Sequence, residues 1–164
     1  MNKDGSITVD VESRNVLDDK LFRHLSRVKV GSDLPKFTLS GKTFPCKCIQ
    51  VYDGDTIHVA VKFHGVVNDF TIRMYGYNSA ELRTKNNDEK VKGYAAKEYM
   101  TGLVMGKDLL VNFIDNDKYG NRWLGNVYQV DKVDGILYPG KCVNKLMISG
   151  GHGVEYYGKG EKKY

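Results

Sequence analysis

The 164-residue sequence predicts a mainly β, α+β domain: a five-stranded barrel of Greek-key order, with a helix inserted after the third strand, a C-terminal helix and a helical extension in front. Three observations carry that expectation. Between residues 46 and 75 apolar and polar residues alternate at strand period; between 91 and 105 the period lengthens to that of a helix; strand-like runs return at 108–114 and 123–130. Five short antiparallel strands are best protected when the sheet closes on itself, because closure removes the exposed edges. An apolar share of 41% supplies a core for one such domain and little for a second.

Residues 1–43 read as an extension and 44–164 as the barrel domain. The first twelve residues are polar. From Asn15, a candidate cap, Leu17, Leu21, Leu25 and Val28 recur at helical spacing with Asp18 and Asp19 in the first turn, so an amphipathic helix is expected to end near Gly31. Gly31, Pro35 and Gly41 mark a connector. Residues 46–52 form the first strand. In the second, 56–63, Ile57, Val59, Val61 and Phe63 alternate with His58, Ala60 and Lys62. His64-Gly65 turns the chain into the third, 67–75, where Phe70, Ile72 and Met74 share one face and Thr71, Arg73 and Tyr75 the other. A charged loop, 83–90, leads to the inserted helix. There Val91, Ala95, Tyr99 and Leu103 lie on one line and Ala96, Met100 and Val104 on the next, until Gly106 stops it. A last short helix is expected at 142–149, ended by Gly150-Gly151. Small barrels of this order are of the oligonucleotide-binding type, and present one face to nucleic acid.

Charge and cysteine usage narrow the function. A net charge of +5 has the sign a polyanionic partner favours, although its size alone decides nothing. From Lys42 onward only three arginines occur, Arg73, Arg83 and Arg122, among many lysines. Arginine offers the planar, bidentate grip on phosphate that lysine lacks. Cys46, Cys48 and Cys142 contain no C-x-x-C pair, and the four histidines lack metal-ligand spacing, so neither a disulfide framework nor a zinc site is expected. No apolar run suits a signal-peptide core or a membrane span, and the expectation is an intracellular, cytoplasmic, soluble monomer with no membrane or protein partner.

Three segments carry the chemistry: VYDGDTIHV (51–59), TIRMYGYNSAEL (71–82) and DKYGNRWLG (117–125). Asp53 and Asp55 flank a glycine, and two carboxylates so spaced can serve one hard cation, though Asp-Gly is equally a common turn. Arg73, Asn78 and Glu81 surround a strand end and a turn through Gly76; Glu81 could instead cap a helix. Lys118, Tyr119 and Arg122 interleave basic and aromatic groups in a glycine-containing turn, a pattern that can hold a phosphate and stack on a base.

Taken in this order, DGDT, an RxxGxxxxE pattern and DKYG with a nearby arginine resemble the staphylococcal nuclease (thermonuclease) family over about residues 44–157. The resemblance implies an oligonucleotide-binding barrel that hydrolyses DNA or RNA with a divalent cation, typically calcium. It implies Asp55, Asn78 and the backbone carbonyl of Ser79 as metal ligands, with Asp53 supporting from behind. Glu81 would be the general base, and Arg73 and Arg122 would hold the scissile phosphate. Lys118, Tyr119 and Tyr157 would contact neighbouring phosphates or bases. Two departures bear on this. Asn78 stands where the family usually has a second metal-binding aspartate, and the extra Asn121 gives KYGNR instead of KYGR. If Trp123-Leu124 keeps its strand register, the loop bulges and Arg122 retains its place; if the loop keeps its register instead, Asn121 takes that place and catalysis suffers. An active metal-dependent nuclease and a binding module for nucleic acid or protein that has lost its metal through Asn78 are both consistent with these residues.

Overall fold

The computed structural model describes residues 19–117 and 121–158. The chain divides into two compact units, 1–38 and 39–164. In the first, helix α1 spans Asp19–Ser26, ends before Gly31 where the periodicity suggests its end, and buries none of its residues. Arg23 pairs with Asp19 one turn away. The candidate cap Asn15 lies outside the described residues.

In the second unit, strands β1 (Thr43–Val51), β2 (Thr56–Phe63) and β3 (Val66–Met74) form an antiparallel meander. The turn between β2 and β3 is His64-Gly65, with φ of 48° and 79°. Positive φ at both central residues matches the right-handed twist of the flanking strands. A short strand β4 (Tyr77–Asn78) leads to helix α2 (Asn87–Val104), and β5 (Leu109–Asn116) and β6 (Arg122–Val133) come next. β5 pairs with both β1 and β6, and β6 runs parallel to β3, joining Thr71 to Arg122 and Arg73 to Leu124. That last pairing closes the ring β3-β2-β1-β5-β6, the expected five-stranded barrel.

A sixth strand, β7 (Ile136–Cys142), lies outside the ring and pairs with β6 alone. The sequence pattern ends the strand at 130 and does not show this hairpin. Its turn, Asp134-Gly135, has φ of 50° and 80°, and an Asp-Gly pair between apolar residues is the local signal for it. Helix α3 (Val143–Ser149) then packs on α2 and β6, and a two-residue strand β8 (Val154–Glu155) pairs with β4.

The alternation read in β2 holds, since Ile57, Val59 and Val61 are buried within the barrel together with Ile72 and Met74 of β3. Phe113 of β5 sits among the rings of Phe44, Phe70 and Trp123, each edge-on at 5.4–5.9 Å between centroids. That geometry is preferred for aromatic quadrupoles. In α2 the line through Ala96, Met100 and Val104 is the buried one, whereas Val91 of the other line is exposed. The helix also starts earlier than its apolar pattern. The Asn86 side chain accepts from the backbone N–H groups of Asp88 and Glu89, a cap that recruits part of the charged segment into the first turn.

Candidate metal and phosphate site

The site begins at the turn between β1 and β2. The Tyr52 and Asp53 amides both donate to the Thr56 carbonyl, and the Asp55 amide donates to Asp53 Oδ1 at 3.0 Å. Gly54 does not have a positive φ, so a left-handed backbone is not what requires glycine in this turn. Space is the reason. A Cβ at Gly54 would lie 2.6 Å from Ala96 Cβ and 2.7 Å from Ser79 Oγ, so only glycine lets the turn press against α2 and the segment after β4. The Tyr77 hydroxyl, buried, donates to the Gly54 carbonyl at 2.8 Å, and burial pushes its phenol well above the ordinary value.

Arg73 ties the neighbouring segments together. Its Nη1 donates to the carbonyls of Met74 at 2.9 Å and Tyr77 at 3.0 Å, while Nη2 donates to Asn78 Oδ1 at 2.5 Å and lies 3.1 Å from Asp55 Oδ2. Asp55 Oδ2 also accepts from the Ser79 amide at 3.0 Å, and Oδ1 accepts from the Thr56 hydroxyl at 3.1 Å. One guanidinium thus joins the end of β3, the short strand β4 and the aspartate turn. Arg73 is therefore not a merely solvated strand arginine.

Asp55, Arg73, Asn78, Ser79, Glu81 and Arg122 line a single cleft of about 550 Å³, with Asp53 on the same wall. Glu81 stands on the exposed loop well before Asn86, the residue that caps α2, so it is not a helix cap. That loop rests on the helix at Gly93, where an added Cβ would lie 3.0 Å from the Glu81 carbonyl and 3.1 Å from the Ala80 carbonyl. Arg122 opens β6, its Nε bonded to Asp117 Oδ2 at 2.6 Å while its carbonyl accepts from the Asp117 amide. Trp123 and Leu124 pair with Ile72 and Arg73 of β3 and with Asn116 and Asp115 of β5, and Arg122 lines the cleft. Lys118 and Tyr119 lie outside the described residues. Tyr157 is not on the cleft wall; its ring meets that of Tyr75 at 5.5 Å and covers Gly76, which has a φ of 88°.

Asp53, Asp55, Asn78, Ser79 and Glu81 bring oxygen donors, the kind a hard cation requires, to a wall shared with the cationic Arg73, Arg83, Lys97 and Arg122. Burial, and then the negative charge of Asp55, push the Asp53 carboxyl up to about 6. Two carboxylates crowded in this way would be stabilised by a divalent cation between them. The same wall carries an orphan. Asn78 is 2% exposed, its Oδ1 faces Arg73, and its Nδ2 has no hydrogen-bond partner among the described residues. No cluster of three or more His, Cys, Asp or Glu side chains suited to a metal occurs among the described residues, so amide and backbone oxygens would have to complete any coordination.

Asn144 is a residue that sequence reasoning missed. Buried on α3, it accepts from the Val127 amide at 2.9 Å and donates to the carbonyls of Tyr75 at 2.9 Å and Gly125 at 3.0 Å. It anchors the β3–β6 junction from which Arg73 and Arg122 project.

A closed five-stranded barrel with carboxylates and two arginines in one cleft has the architecture of an oligonucleotide-binding domain. The profile of the staphylococcal nuclease homologue family matches residues 71–164, more than half of the sequence, and the chain belongs to that family. The matched segment holds Arg73, Asn78, Ser79, Glu81, Arg122 and Tyr157, whereas Asp53 and Asp55 precede it. No curated protein matches the chain. Among the described residues no helix is long and apolar enough to cross a membrane.

Proposed function

We propose that this chain is a divalent-cation-dependent nuclease that hydrolyses phosphodiester bonds of DNA or RNA. The convergence of Asp55, Arg73, Glu81 and Arg122 on one cleft is the observation that carries this reading. Asp55, Asn78 and the Ser79 carbonyl would hold calcium or another divalent cation, with Asp53 hydrogen-bonded behind Asp55. When bound, the cation would neutralise phosphate charge and polarise the ester. Glu81, on an exposed loop at the cleft, takes a proton from the attacking water. Arg73 contributes a positive charge whose position is fixed by its four partners, and Arg122 supplies the second guanidinium as charge builds on the phosphate oxygens. Lys118, Tyr119 and Tyr157 are proposed to bind the flanking nucleotides.

The test is cleavage of single-stranded and plasmid DNA with and without a chelator. Loss of cleavage on chelation and recovery with millimolar calcium are expected. Intact binding without cleavage at any metal concentration would favour the second reading, a binding module. Asn78 is the one observation on that side, since its only amide oxygen is committed to Arg73.

Asn78→Asp should therefore shift the metal requirement. It replaces the unpartnered NH₂ with an acceptor oxygen and restores a negative charge, worth at most roughly 4 kcal/mol toward a cation at about 4 Å. The calcium concentration for half-maximal rate is expected to fall by roughly tenfold or more, about 1.4 kcal/mol per decade. An unchanged metal titration would show that residue 78 is not a ligand.

A further inference from the structure

Two residues on the cleft wall have no role in the mechanism above. Tyr52, 40% exposed, directly precedes the aspartate turn, and Arg83 lies two positions after Glu81; both line the cleft that holds Asp55 and Glu81. The Arg83 guanidinium carbon lies 5.8 Å from the centre of the Tyr52 ring, within cation–π range. Neither end of this pair is loose. The Tyr52 amide is bonded to the Thr56 carbonyl at 3.0 Å, and the loop carrying Arg83 rests on α2 through Gly93.

We infer that Tyr52 and Arg83 form a nucleobase-stacking site beside the scissile phosphate. A partly exposed tyrosine ring with a guanidinium over one face is a π platform backed by a cation, and bases of any identity stack on such surfaces. The arginines of the same cleft take the phosphate backbone, so a base attached to it is the group within reach of the ring. Only a base turned out of the duplex stack can be received there. The site therefore selects single-stranded or locally unpaired strands and adds little base specificity. This rests on the nuclease reading for its substrate, and its test separates the two.

The experiment uses the full chain and a fluorescent oligothymidylate about ten nucleotides long, within the range of site sizes for such barrels. A single abasic residue is placed at each position in turn. Affinity is read by anisotropy in chelator, and KM and kcat by cleavage in calcium. Tyr52→Ala is expected to weaken binding and raise KM roughly five- to tenfold, the lower end for loss of one stacked base, with kcat nearly unchanged. One abasic position should weaken wild type equally and leave Tyr52→Ala no weaker than on the intact strand. Tyr52→Phe should retain wild-type behaviour, and Arg83→Gln should show an intermediate loss. Equal losses from Tyr52→Ala at every abasic position, or none on the intact strand, would overturn the stacking site while leaving the nuclease intact. A wild-type chain that neither binds nor cleaves the strand would remove both.

Discussion

Glu81→Gln should lower kcat by about two to four orders of magnitude, the range attributed to a positioned general base, while affinity for single-stranded DNA changes by no more than a few fold. The substitution preserves the shape of the side chain and removes its capacity to accept a proton. Glu81 sits on an exposed loop, and the bonds that fix Arg73 and Asp55 run to Met74, Tyr77, Asn78, Ser79 and Thr56, so the exchange leaves that scaffold in place. Single-turnover cleavage and anisotropy on the same oligonucleotide separate the two quantities. Parallel loss of binding and turnover would move Glu81 from proton transfer to substrate binding.

The largest stability effect is expected at Asn144. Asn144→Leu changes the side-chain volume modestly but leaves the Val127 amide and the Tyr75 and Gly125 carbonyls without the partner that now satisfies them. Stranding a buried polar group costs about 1–3 kcal/mol, and three such groups with partial relaxation amount to about 3–5 kcal/mol. That is a large fraction of the roughly 5–15 kcal/mol by which a domain is stable. Urea titration of wild type and variant measures it directly. A loss under about 1 kcal/mol, at unchanged m-value, would mean that water or a shifted backbone takes over these groups.

Much of this architecture is written into local patterns. Alternation marks β2 because Ile57, Val59 and Val61 share one buried face, and Gly106 marks the end of α2 because a left-handed residue, φ 71°, is needed there. Asp55, Arg73, Glu81 and Arg122 are singled out because the ordered DGDT, RxxGxxxxE and DKYG motifs resemble those of the nuclease family, and all four line one cleft. What escaped depends on distant groups. Asn144 looks like an ordinary polar residue in a short helix, and its importance comes from three backbone groups up to 69 positions away. Gly54 reads as a turn glycine, yet the atoms that exclude a side chain belong to Ser79 and Ala96. The Tyr52–Arg83 pair joins two segments whose proximity depends on the docking of the Glu81 loop on α2. The β6–β7 hairpin is hidden for a different reason: its strand β7 is mostly exposed and carries Pro139 and Gly140, which blur the alternation.

The parallel contact between β3 and β6 has a consequence for fragments of the protein. A polypeptide ending before Arg122 would keep Asp55, Arg73 and Glu81 but lose both the second guanidinium and the strand that seals the ring. Gathering the four cleft residues and completing the cylinder therefore both require β6, and no shorter N-terminal piece possesses the full set of groups.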